Sequence, residues 1–172
     1  AGLAVPSLLE VASRLVASES VEEVVASTLA YLSGRLARSI FFVVRGDRII
    51  AWSGQGEGIS PQRIKDLSFA NGAGPALFVT AAAESEEGPS CYLGAVPPSP
   101  ATAQFYESLG VAPPRTVIIV PIIVKRRVAA YLYGDGAERE ILAIDLPAML
   151  SLCARAGFAL QILILRNKIL AA

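Results

Sequence analysis

The hydrophobic residues of this chain change their spacing several times, and each change marks an element. From Pro6 onward, Leu8, Leu9, Ala12, Leu15 and Val16 fall at helical spacing. A second helical stripe follows, carried by Val21, Val24, Val25, Leu29, Leu32 and Leu36. Ser20 and Glu23 precede it at the spacing of a capping box, and Arg35 and Arg38 are expected in its last turn, where cations suit the helix dipole. At Ile40 the pattern becomes that of a strand. Residues 40–45 and 49–53 are β-branched and aromatic, with Gly46 and Asp47 between them as a tight turn. A two-residue loop places Phe41 opposite Trp52 and Val43 opposite Ile50. Ile40, Phe42 and Val44 then share the other face with Ile49 and Ala51. Both faces are apolar, so this hairpin is expected to be covered on both sides.

The middle of the chain is punctuated by Gly and Pro. Gly54, Gly56 and Gly58 end the strand. No Lys-Ser or Lys-Thr follows them and no βαβ unit surrounds them, so they read as a turn and not as a phosphate loop. Ser60-Pro61 opens a short helix over 62–66, and a brief strand follows over 67–69. Gly74-Pro75 opens a helix carrying Leu77, Phe78, Ala81 and Ala82, and residues 84–88 form a polar loop. Residues 91–96 read as a strand. Ser99-Pro100 starts a helix through Phe105, Tyr106 and Leu109 that Gly110 ends. The most apolar stretch, 116–133, is two strands joined by the basic turn Lys125-Arg126-Arg127, with Pro121 read as a bulge or bend. Asp145 caps a final helix with Pro147 in its first turn. That helix is apolar most of the way round, so it is expected to be buried on more than one side, against the sheet and against a second copy of the chain.

Composition narrows the functions available. Hydrophobic residues make up 53% of the 172 positions and charged residues 17%, which suits one domain with a large core and an apolar surface for a partner. Fifteen basic residues balance fifteen acidic ones, so no nucleic-acid footprint is visible. The chain has no His, which excludes His-ligated metal or haem and the Ser–His and Cys–His nucleophile pairs. No uncharged apolar run reaches membrane-spanning length. The N-terminus lacks the basic region of a secretory signal, and a cytoplasmic location is expected.

The order of elements calls for an α+β fold. A central antiparallel sheet of about six strands would carry the N- and C-terminal helices on one face and short helices and loops on the other. This resembles a divergent bacterial GAF domain. The resemblance rests on the helix VEEVVASTLAYL, the hairpin IFFVVRGDRIIAW, and above all RTVIIVPIIVKRRVAAYLY followed by the long last helix. It implies a single domain over 1–172 with its core at about 20–170, residues 1–19 forming an extra dimerisation or linker helix. It also implies a non-catalytic regulatory role inside a cytoplasmic signalling protein, with fused signalling domains, homodimerisation through the terminal helices and a small molecule held under the middle loops. Two alternatives stay open: a ligand-free scaffold in the manner of roadblock or longin domains, and a thiol reductase of the kind that acts on free methionine sulfoxide.

A small-molecule site on the loop face would draw on Trp52, Phe69, Tyr92, Tyr106, Tyr131 and Tyr133, with Arg63 or Ser53 orienting an anion. The alternative is that these aromatics fill core. No cofactor, metal ligand or catalytic residue is assigned. In the thiol reading, Cys91 would be the nucleophile, and Cys153 is expected across the sheet from it. Glu84, Glu86 and Glu87 are placed in one solvated loop, and Asp135, Glu138 and Glu140 in another.

Overall fold

The apolar hairpin and the final helix form the framework of the molecule. A computed structural model describes residues 4–72, 75–82, 84–85, 88–89, 91–141 and 144–171. Its elements run α1 (Leu8–Ala17), α2 (Val21–Leu32), β1 (Arg38–Arg45), β2 (Arg48–Gly56), α3 (Pro61–Asp66), β3 (Ser68–Ala70), α4 (Ala76–Ala82), β4 (Glu84–Ser85), β5 (Gly88–Pro89), β6 (Tyr92–Ala95), α5 (Pro100–Leu109), β7 (Thr116–Val124), β8 (Arg127–Asp135) and α6 (Leu146–Ala171). Among the described residues six strands make one antiparallel sheet in the order β3-β2-β1-β8-β7-β6, while β4 and β5 pair separately. Gly74, expected to open α4, and Glu86 and Glu87 lie outside the described residues.

Period-2 alternation sends the strands' side chains into two cores. On one face Phe41, Ile118, Val120, Ile122 and Leu132 pack with α1, α2 and α6 through Val11, Leu15, Val24, Leu29, Met149 and Leu152. On the other, Ile40, Phe42, Ile119, Tyr131 and Tyr133 meet α3, α4 and α5 through Ile64, Leu77, Phe78, Phe105 and Leu109. The expected α+β layering, with terminal helices on one face and short helices on the other, is what the structure has.

The caps explain where several helices start. Ser20 Oγ accepts from the Glu23 amide, and the Glu23 carboxylate accepts from the Glu19 amide, one residue before the usual capping-box partner. Ser99 and Asp145 cap α5 and α6 through the amides of Thr102 and Ala148. In α1 the buried stripe is Val11, Ala12 and Leu15; Leu9 and Val16, expected on it, are 79% and 85% exposed.

Four expectations are corrected. Phe41 stands opposite Ser53, because a bulge interrupts the β1–β2 register between Phe41 and Phe42. Pro121 is no bulge: it pairs in register with Tyr131, and the irregularity in that hairpin falls one step later, between Ile122 and Ile123. Among the described residues the β6–β7 ladder runs only to Ile119, so the missing amide hydrogen of Pro121 costs no bond in it. Arg38 is not in the last turn of α2 but begins β1, and Asp135 is not in a solvated loop but ends β8 with no exposed surface.

The turn of the central hairpin has two residues, Lys125 and Arg126, at φ 51° and 64°. Both are left-handed, as a type I′ turn requires. Register from this turn puts Tyr131 and Tyr133 on the face away from the terminal helices.

Candidate functional site

The loop face of the sheet holds a chamber built from aromatic rings. Phe42 supplies its floor from β1, Tyr131 and Tyr133 from β8; Phe69, Phe78, Phe105 and Tyr106 close over them from β3, α4 and α5. The rings touch edge to face: Phe42 to Phe78 and Phe105 to Tyr106 at 5.0 Å between centroids, and Phe78 to Tyr131 at 5.7 Å. Such contacts fill space as core does. A recess of about 270 Å3 is left at the rim, between β3 and α5, lined by Ser68, Phe69, Gln104 and Phe105.

A polar string leaves the chamber at one end. The Tyr106 and Tyr133 hydroxyls are 2.9 Å apart, and Tyr133 donates to Asp135 Oδ2 at 2.6 Å. Asp135 also accepts from Arg38 Nε at 2.8 Å and from the Ala137 amide at 2.8 Å. Burial, reinforced by Tyr106 and Asp135, pushes the Tyr133 phenol well above its ordinary range; burial is also the main cause that raises Tyr106 and the sole one that raises Tyr131. Both phenols of the string stay protonated and donate. The chemistry of the string is hydrogen bonding, not proton transfer near neutrality.

Of the residues expected to share a site, Phe69, Tyr106, Tyr131 and Tyr133 come together. Tyr92 packs at the margin, and its hydroxyl bonds back to the Ala95 carbonyl of its own strand. Trp52 does not join them: it packs on the helix face, under the Arg45 guanidinium at 5.4 Å. Alternation from Ala51, which faces the chamber, already puts Trp52 there; the bulge, where two residues of β2 oppose one of β1, then keeps the next residue on the same face. Ser53, opposite Phe41, is carried to the helix face too. Arg63 is spent elsewhere: it donates to the Glu107 and Ser108 carbonyls at 3.4 Å, at the C-terminal end of α5. The glycines after β2 also have a packing role. A Cβ on Gly56, which sits at φ +114°, would meet the Ala37 carbonyl oxygen at 2.1 Å.

The helix face carries a groove of about 470 Å3 between β7 and α6. Cys91 and Cys153 both line it, so the expectation that the sheet separates them is corrected. Cys91 follows β5 into β6, and its side chain packs against the helix-face core. Burial pushes the Cys153 thiol well up, which suppresses the thiolate a nucleophile needs. A third opening, about 530 Å3, lies beyond the end of the sheet between Gln55, Glu57 and Arg139, and the Glu57–Arg139 ion pair crosses it at 2.7 Å. Among the described residues no three His, Cys, Asp or Glu side chains gather as a metal site.

No family model matches the sequence, and no curated protein matches it. Solved structures do match. The phycoerythrobilin-bound GAF domain of a cyanobacterial phytochrome superimposes with a TM-score of 0.72 at 13% identity, over 93% of this chain and 97% of that one. The GAF domain of a phosphoenolpyruvate-protein phosphotransferase from Coxiella burnetii gives 0.72 at 15% identity, over 94% and 93%. Free methionine-R-sulfoxide reductase from Neisseria meningitidis gives 0.66 at 15% identity, over 92% and 89%. What the chain shares with them is the fold, a divergent GAF fold.

Proposed function

We propose that this GAF-like domain is a non-catalytic regulatory module of a cytoplasmic signalling protein, a single domain that pairs with a second copy through its terminal helices. The observation that carries this reading is the outer face of α6. Phe158, Ile162, Leu165 and Ile169 follow one another at steps of four, three and four, the spacing of a coiled-coil seam. They are 68%, 61%, 44% and 74% exposed, while the opposite face of the helix is buried against the sheet. Large apolar residues in a row on a protein surface mark a contact. α1 adds Leu9 and Val16 to the same layer of helices.

In such a module a change on the loop face reaches the pair through β8 and α6, and an attached domain reads the change. Any such coupling needs a ligand or partner that prefers one of two states. The packed aromatic chamber supports the regulatory reading over an occupied pocket: a small molecule on that face would enter by way of the recess at Phe69 and Gln104, or by displacing rings. The lowered reactivity of Cys153 speaks against the thiol reductase reading.

Sedimentation velocity at micromolar concentration tests the pairing. The expected result is a dimer that Ile162→Glu converts to a folded monomer. A wild-type chain that sediments as a clean monomer overturns it.

A further inference from the structure

The groove between β7 and α6 lies on the face away from the aromatic chamber, and its volume of about 470 Å3 is in the range of small-molecule sites. Val120, Pro121 and Ile123 make its floor; Leu150, Ala154 and Phe158 make its wall. The floor is apolar in its side chains, and one of its backbone positions lacks a donor. Among the described residues the β6 ladder stops at Ile119, and two residues on, the buried Pro121 brings no amide hydrogen to that side of the strand. A hydrocarbon laid there strands no donor at that position.

The mouth of the groove has the opposite character. Lys125 and Arg126 line it, both exposed, and neither joins an ion pair among the described residues. Their backbone is the unusual part. A type I′ turn favours Asn-Gly, since left-handed φ strains ordinary side chains. Here φ of 51° and 64° is held by a lysine and an arginine. Turn closure gives no reason for that choice. Two fixed cations at the end of an apolar groove do.

We propose that this groove binds an amphiphilic carboxylate, its acyl chain lying along β7 and α6 and its head group at Lys125 and Arg126. The apolar floor selects a chain over a small anion. The paired cations select a carboxylate over an ammonium head through charge-assisted hydrogen bonds. Cys91 stands at the groove, half-buried, where it reports occupancy.

The probe is dodecanoate below its micelle concentration, titrated by calorimetry into the full chain, with acetate and dodecyltrimethylammonium as comparisons. Saturable binding of one dodecanoate per chain is expected, with none for acetate and roughly tenfold weaker binding for the ammonium. Dodecanoate should also slow alkylation of Cys91 by iodoacetamide. Lys125→Gln with Arg126→Gln lies in an exposed turn; it should keep the circular dichroism spectrum and lose about tenfold in affinity. Ala154→Trp should fill the groove and abolish binding. Should Ala154→Trp fail to fold, the turn variant decides. The proposal is overturned by the absence of saturation, by equal affinity for the carboxylate and ammonium probes, or by unchanged affinity in the turn variant. It is also overturned if a second copy seals the groove, seen as an unreactive Cys91 and no dodecanoate binding.

Discussion

At the scale of single residues the molecule depends most on Arg38 and Asp135. They are 97 positions apart in sequence, yet directly opposite in the β1–β8 register. Removing Arg38 alone would leave Asp135 charged, buried and short of its strongest partner. Arg38→Ala is therefore expected to cost about 3–5 kcal/mol in urea unfolding. The pair Arg38→Met with Asp135→Leu should cost clearly less than the sum of the two single changes, and additive losses would show that the pair is not a unit. The tyrosines give a pH signature. Their folded pKa values lie above the unfolded value near 10, so the stability they contribute is complete below that pH and drains away as pH rises beyond it. Stability should fall above pH 10 by up to about 1.4 kcal/mol per pH unit for each buried tyrosine, and less steeply in Tyr133→Phe. A flat profile to pH 11 contradicts this. None of the ion pair was legible in the sequence. Local pattern assigned Arg38 to a helix end and Asp135 to a loop, because nothing in either neighbourhood points across the sheet. The available signal was topological: once the first and last strands of the sheet's centre are neighbours, a basic residue opening one meets an acidic residue closing the other.

Elements were far more legible than pairings. Helix caps, the Gly110 stop at φ +79°, and the two hairpins follow from local chemistry that sequence displays directly. Face assignment survives only as long as the period does. One bulge beside Trp52 was enough to move Ser53 to the helix face, while Trp52 stands where unbroken alternation from Ala51 puts it. That α6 packs on the sheet was legible from its apolar face, but how closely it approaches β7 was not, because that depends on an absent side chain. A Cβ on Gly157 would meet the Ile123 carbonyl oxygen at 2.6 Å, so the helix lies directly on the strand there. The turn that closes β7 onto β8 offers a test at this scale. Lys125→Asn with Arg126→Gly relieves two left-handed side chains and should raise stability by about 1 kcal/mol in thermal or urea unfolding. The same variant should weaken dodecanoate binding. Gain of stability with loss of binding is the mark of residues kept for a site rather than for the fold. Loss of stability would mean that the two cations support the hairpin itself.

At the scale of the whole molecule the question is why α6 is apolar on so much of its circumference. By length and composition alone its 26 residues would cross a membrane, yet 44% of its most apolar window is buried within the domain. What remains outside is neither a full lipid-facing surface nor a scatter of single residues. Its centre is the seam of Phe158, Ile162, Leu165 and Ile169, with Leu150, Ile164 and Leu170 exposed on its flanks, Arg155 and Arg166 beside it and Lys168 near its end. The spacing of that seam fits a partner helix in water. Pairing of folded chains draws the unfolding equilibrium toward the native state by mass action, so the melting temperature should climb with protein concentration. For a pair that dissociates as it melts, each tenfold rise in concentration is worth about 1.4 kcal/mol per mole of dimer. For a 172-residue chain that is on the order of one to two degrees per decade. Scans from 2 decades of concentration, about 1 to 100 μM, resolve a shift of that size. Ile162→Glu places a charge in the middle of the seam and touches nothing in either core, so its melting temperature should be independent of concentration while its fold is retained. A wild-type melt that does not move over the same range removes the second copy from the account of α6 and leaves its outer face to a different partner.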